Sequence, residues 1–321
     1  MNVKNTFKPA WWLPGPHLQT LWPTLLRKKP KGLILERERL ELPDGDFLDL
    51  DWTATQGKGP LVLILHGLEG SVDSSYAQGM LAAIVENQWR GVFMHFRGCS
   101  GEPNRMIRSY HSGETRDLAR VVQHIRKREP NTPLAAIGFS LGGNVLLKWL
   151  GETGEDSPLE AAAAISVPFE LDKAALRMQH GFSRIYQWHL LACLRKRLGD
   201  QFREQDVEYG LTALSGVKTL WDFDEKVTAP MYGFASADEY YKRSSSRRYL
   251  SKIRTPTLLV QALDDPFMTD DLIPELEELP NNIELEVTAG GGHVGFVAGL
   301  LPWKSTYWLE QRVPEFLQKY L

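Results

Sequence analysis

Short apolar runs recur along the chain, and longer stretches with helical spacing separate them. "PLVLILHG" (60–67) and "GVFMHFRG" (91–98) each end in glycine, and "PLAAIGFS" (133–140), "AAAAISVPF" (161–169), "TPTLLVQAL" (255–263) and "IELEVTAG" (283–290) follow. Runs of this kind suit strands buried on both faces of a parallel sheet. Upstream, "LILERERLELPDGDFLDLDW" alternates apolar and polar positions on two arms around Pro43-Asp44-Gly45-Asp46, which predicts a hairpin. Helical spacing is predicted at about 76–88, 114–129 and 141–151. Strands alternating with helices predict an α/β fold with a mostly parallel central sheet flanked by helices.

Residues 171–250 break this rhythm. They are helical in pattern and rich in aromatics, as in "HGFSRIYQWHLLACLRKRL", and contain no convincing buried strand. The expected organisation is one domain whose core spans about 33–170 and 251–321. A helical cap insertion at 171–250 is expected over the C-terminal edge of the sheet, where open α/β sheets place ligands. Residues 1–32 read as an aromatic and proline-rich extension packing on the body. Its Trp11, Trp12 and Trp22 are expected to pack rather than to touch lipid.

Composition narrows the function classes. A formal net charge of -3 argues against a nucleic-acid partner. Two cysteines, Cys99 and Cys193, lie far apart and outside any metal-type spacing, which suits a reducing, cytoplasmic setting. The N-terminus does not read as a signal peptide, and no apolar run approaches the ~18 residues of a membrane span. Transient contact with a membrane surface is the most the chain is expected to make. Neither a cofactor nor a metal is expected.

The candidate chemistry sits at the ends of the apolar runs. Gly138-Phe139-Ser140-Leu141-Gly142 has the G-x-S-x-G spacing of a nucleophile elbow, between a predicted buried strand and a predicted helix. Gly138 and Gly142 are expected where a Cβ would strike neighbouring backbone. A serine hydroxyl needs a base. Of eight histidines, His293 in "AGGGHVGF" is the one C-terminal to the Asp264-Asp265 pair, which gives the chain order Ser, acid, His. "LILHGLEGS" supplies a loop after an early strand. The backbone N–H groups of Leu68 and Leu141 are the expected oxyanion donors, with His66 and Gly67 shaping the loop. Strand alternation allows only one of the two aspartates to face His293. Asp265, held extended by Pro266, is favoured over Asp264, which would turn outward and cap the loop.

Taken in order, "FKPAWWLPGPHLQTLWP", "HGLEGS", "FRGCSGEPNR", "GFSLGGN", "DDPFM" and "GGHVGF" resemble the YheT branch of the α/β-hydrolase superfamily, also called the AB-hydrolase 4 family. The resemblance covers nearly the whole chain. It implies an α/β-hydrolase fold, with the family's nucleophile falling on Ser140, its acid on Asp265 and its base on His293. It also implies a serine carboxylesterase acting on a small-molecule ester through an acyl-enzyme. Acyl transfer to an alcohol and a non-catalytic ligand-binding homologue are the alternatives. Eukaryotic relatives act on acylglycerols, phospholipids or medium-chain ethyl esters; their membrane residence and lipid preference are not carried over. In the Arg97–Arg105 loop, Arg97 and Glu102 are read as a pair bracing the oxyanion loop, with a simple turn as the other reading.

Overall fold

The computed structural model describes residues 7–55, 57–205 and 207–321. An eight-stranded sheet forms from β1 (Leu35–Glu41), β2 (Phe47–Thr53), β3 (Leu61–Leu65), β4 (Arg90–Met94), β5 (Leu134–Phe139), β6 (Ala161–Ile165), β7 (Thr257–Ala262) and β8 (Ile283–Thr288). Their spatial order is β1-β2-β4-β3-β5-β6-β7-β8. β2 is antiparallel to both neighbours, and every pairing from β4 to β8 is parallel.

Apolar continuity explains the middle of the sheet. All residues of β3, β5, β6 and β7 are buried, so each strand carries apolar side chains toward both layers. The edge is different. β1 reads Leu-Glu-Arg-Glu-Arg-Leu-Glu, and its arginines stand opposite aspartates: Arg37 pairs with Asp51 and Arg39 with Asp49, each through two hydrogen bonds of 2.8–2.9 Å. Charge along an edge strand blocks further strand addition.

Helices cover both faces. α1 (Pro16–Leu26) lies in the N-terminal extension, and α2 (Ser75–Glu86) follows β3. α3 (Arg116–Arg128) and α4 (Leu141–Thr153) bury Leu118, Val121, Ile125, Val145 and Leu146 in one layer. Between β6 and β7 the described residues form six α-helices, α5 (Leu171–Arg177), α6 (Ser183–Glu204), α7 (Glu208–Ser215), α8 (Leu220–Phe223), α9 (Ala229–Tyr232) and α10 (Ala237–Ser244), with a π-helical turn at Asp224–Thr228 and a 3-10 turn at Arg247–Lys252. α11 (Leu309–Leu317) packs with α2 on the opposite face through Met80, Ile84, Val313 and Phe316. Among the described residues no helix is long and apolar enough to cross a membrane.

Three elements lie outside the predicted set. α1 and α11 are two of them. The third is a two-stranded ribbon, β9 (Val297–Ala298) with β10 (Thr306–Tyr307), against which the N-terminal extension folds. Residues 1–6 of that extension lie outside the described residues. Trp12 and Trp22 pack edge to face at 4.7 Å, as expected. Trp11 departs from the expectation: it is 74% exposed, with its indole N–H donating to the Leu300 carbonyl at 3.0 Å.

The pairing predicted for the Arg97–Arg105 loop does not form. Arg97 is buried and bonds Asp117 through two nitrogens at 2.7 and 2.8 Å, and reaches Asp46 and Asp44 at 2.9 Å. Glu102 points instead to Arg39 on the outer strand. A buried guanidinium requires buried carboxylates, and the β1–β2 turn and α3 supply them where Glu102, near solvent, cannot. The loop ties the end of β4 to the hairpin turn, not to the loop that follows β3.

Candidate active site

Ser140 lies between β5 and α4 with φ 52° and ψ −118°, a left-handed conformation rare for a residue with a Cβ. The turn is tight enough to dictate its flanks. A Cβ on Gly138 would lie 2.5 Å from the Gly142 carbonyl oxygen, and one on Gly142 would lie 2.5 Å from the His66 carbonyl oxygen. Both expected glycines are therefore required by backbone contact.

The structure brings the three distant side chains together. His293 Nε2 stands 3.0 Å from Ser140 Oγ, and His293 Nδ1 stands 2.8 Å from Asp265 Oδ2. Facing a carboxylate, Nδ1 carries the ring proton, so Nε2 is left with a lone pair to accept from the serine hydroxyl. Asp265 is buried, and its other oxygen accepts from the Phe267 N–H at 2.8 Å. The Phe267 ring stacks on the imidazole at 4.0 Å and 6°, which restricts its rotation.

Asp265 is the aspartate that meets His293, though strand alternation is not the cause. β7 ends at Ala262, and the two aspartates lie in the turn beyond it, where the Asp265 N–H bonds the Ala262 carbonyl. Asp264 accepts from the Gly292 N–H at 2.9 Å and so caps the loop that carries His293. Burial, reinforced by the neighbouring Asp265, raises its pKa against the pull of the Gly292 N–H.

The N-terminal extension holds the histidine loop from the other side. The His293 N–H donates to Thr20 Oγ1 at 2.9 Å, and Gln19 clasps Val297 through both its amide atoms at 3.1 and 2.8 Å. A Cβ on Gly292 or Gly295 would strike the Pro16 or Gln19 carbonyl, at 2.5 and 2.1 Å. Sequence reasoning missed Thr20 and Gln19; the glycine density of "AGGGHVGF" was the available sign that another backbone passes close by.

The Leu68 and Leu141 N–H groups find no protein acceptor among the described residues. A Cβ on Gly67 would stand 3.3 Å from Ser140 Cβ, so the loop passes directly beside the serine. The Gly67 N–H donates to Tyr76 Oη at 3.0 Å. His66 is held at both ring nitrogens: its Nδ1 donates to the Gly67 carbonyl at 2.6 Å, and its Nε2 accepts from the Phe96 N–H at 3.0 Å. Burial holds its pKa down at about 3, so the ring stays neutral.

Ser140 and His293 open onto a cavity of about 660 Å³. Its walls are mostly apolar. Leu171, Met178, Ile185, Leu194 and Val227 come from the segment between β6 and β7, and Leu21 and Leu25 come from α1.

The comparisons with known proteins agree with this architecture. The family model described as "alpha/beta hydrolase fold" matches residues 60–300. The Escherichia coli protein named "Putative esterase YheT" is 43% identical over 95% of this chain and 91% of its own. The mouse protein named "Phospholipase ABHD3" is 32% identical over 98% of this chain and 79% of its own. Among solved structures, an esterase from Pyrococcus furiosus superposes with a TM-score of 0.59 at 18% identity, covering 90% of this chain and 92% of that one. With the sheet order, the elbow and the loop-borne histidine already in place, these matches assign the chain to the YheT branch of the α/β-hydrolase fold family.

Proposed function

We propose that this chain is a serine-dependent carboxylic ester hydrolase. The observation that carries the reading is the bridge of one imidazole between Ser140 Oγ and Asp265 Oδ2, at 3.0 and 2.8 Å, on the wall of an apolar cavity. Relatives named as an esterase, a phospholipase and a monoacylglycerol lipase support the class of bond cleaved.

In the proposed mechanism Ser140 Oγ attacks the ester carbonyl while His293 Nε2 takes its proton. Asp265 holds the ring in the Nδ1–H tautomer and stabilises the imidazolium that forms. Charge developing on the carbonyl oxygen is met by the Leu68 and Leu141 N–H groups; one such donor typically contributes ~3 kcal/mol to the transition state. The imidazolium then protonates the departing alcohol, and water, activated by the same base, releases the acid from the acyl-enzyme. The cavity suits an acyl group of short to medium length, or the acyl arm of an acylglycerol-like lipid, because its walls offer mainly dispersion contacts and few polar ones. The helical segment at 171–250 acts as the cap that shapes this cavity. A cytoplasmic setting is supported by the two unpaired cysteines.

A fluorophosphonate probe tests the reading. The wild-type protein is expected to label stoichiometrically and the Ser140→Ala variant not at all, with loss of p-nitrophenyl ester turnover in the same variant. Equal labelling of both proteins would refute it.

A further inference from the structure

Glu69 follows the proposed oxyanion donor Leu68 directly, and its backbone is left-handed at φ 54°. A non-glycine residue holds that conformation only when its surroundings over-determine it. Here they do. Arg197 Nε donates to both Glu69 carboxylate oxygens at 2.9 and 3.2 Å. Tyr110 Oη donates to Glu69 Oε1 and accepts from the Glu69 N–H, both at 2.8 Å. The Arg197 guanidinium also bonds Ser109 Oγ at 2.7 Å and lies over the Tyr110 ring. Ion-pair side chains so well covered, 14% and 8% exposed, are costly to leave unpaired.

Arg197 does not belong to the sheet. It sits on α6, where Leu190, Cys193, Leu194, Arg197 and Leu198 share one helical face and line the cavity together. One helix therefore both walls the space for the acyl group and grips the residue beside the oxyanion donor.

We propose that Glu69 and Arg197 are positioning residues for the oxyanion hole, coupling the placement of the Leu68 N–H to the seating of α6. This rests on the ester-hydrolase reading above. The pair touches no reacting atom; it acts by fixing the peptide that does. Its contribution therefore belongs to the transition state, in which the carbonyl oxygen gains charge, and hardly to substrate binding.

Four variants of the whole chain test this: Glu69→Gln, Arg197→Lys, Arg197→Ala, and Glu69→Gln with Arg197→Ala. The readouts are kcat and KM with a p-nitrophenyl ester, and the inhibition constant of a trifluoromethyl ketone of matching acyl length, which forms a tetrahedral adduct. Misplacing one donor lowers kcat on the order of 100-fold, so Arg197→Ala and Glu69→Gln are expected near that loss with KM within about threefold. Affinity for the ketone is expected to fall in parallel, and Arg197→Lys to recover part of the loss. The double variant is expected to be no worse than the poorer single one, because the two residues act as one unit. Unchanged kcat, a loss confined to KM, or single effects that multiply would overturn the proposal. So would loss of the native circular dichroism spectrum in both conservative variants, Glu69→Gln and Arg197→Lys, which would make the pair a folding element. The Ser140→Ala control separates the two ideas: if it stays active, the hydrolase reading fails; if it is inactive while the pair variants are normal, only the coupling fails.

Discussion

Lowering the pH from about 7.5 to about 5 should destabilise this protein through two buried histidines rather than through its carboxylates. Burial depresses the pKa of His66 to about 3 and that of His111 to about 4. Folded-state values lie below the unfolded value, so the unfolded chain binds protons that the folded chain refuses. Stability is therefore complete above about 6.5 and is lost as pH falls toward the folded values. At pH 5 the unfolded histidines sit about 1.5 units below their own pKa, and each costs about 2 kcal/mol. Asp224 works against them: burial raises its pKa to about 6, so it takes a proton on folding in this window. That offsets on the order of 1 kcal/mol, and Asp264 and Glu310, which burial also raises, act in the same direction, leaving a net loss on the order of 2 kcal/mol. Glu114, held down at about 2 mainly by its arginine and histidine neighbours against the cost of burial, loses its contribution only below about pH 4.5 and does not confuse the window. For a chain of this length the loss corresponds to a fall in Tm of about 3 °C. Thermal scans at constant ionic strength measure it, and the ring ¹⁵N shifts of His66 at pH 5 should remain those of a neutral imidazole. A Tm that is flat or rises from pH 7.5 to 5, or a His66 that titrates near 6, would refute the reasoning.

Three further outcomes follow from single contacts. Asp265→Asn should lower kcat on the order of 10⁴-fold with little change in KM, measured by steady-state ester hydrolysis, because an amide at 2.8 Å from Nδ1 no longer enforces the reactive tautomer. Gly142→Ala should destabilise the fold by about 1–3 kcal/mol in urea titration, since the new Cβ meets the His66 and Leu65 carbonyl oxygens, which belong to rigid backbone. Thr20→Val should leave the His293 N–H without its acceptor, at a cost of about 1–3 kcal/mol, and should lower kcat while fluorophosphonate still labels Ser140, only more slowly.

How much of this site can be read from sequence depends on whether a signal is local. β3, β5, β6 and β7 were legible because burial on both faces demands a continuous apolar run, and the elbow because its glycines are fixed by contacts within a few residues of the serine. α11 was harder to see: it carries Pro314 inside the helix and buries Arg312 against Glu286, so its apolar periodicity is interrupted at the face it packs. Thr20, Gln19 and Arg197 left no local trace, since the partners through which each acts on the site lie far away in sequence. One partial trace did exist. Glu69 is a charge inside a glycine-rich loop behind a buried strand, and such a charge must find a counter-ion. Sequence could announce the need but not the helix that answers it. The aspartate pair carries the same lesson in another form. Strand alternation allows only one aspartate to face His293 and Pro266 favours Asp265, yet the two residues stand beyond the end of β7, where a turn decides their directions. What selects Asp265 is that its second oxygen is pinned by the Phe267 N–H, while Asp264 is drawn off by the Gly292 N–H into the loop that presents the imidazole. Both carboxylates thus serve His293, one by meeting its ring and the other by shaping its backbone.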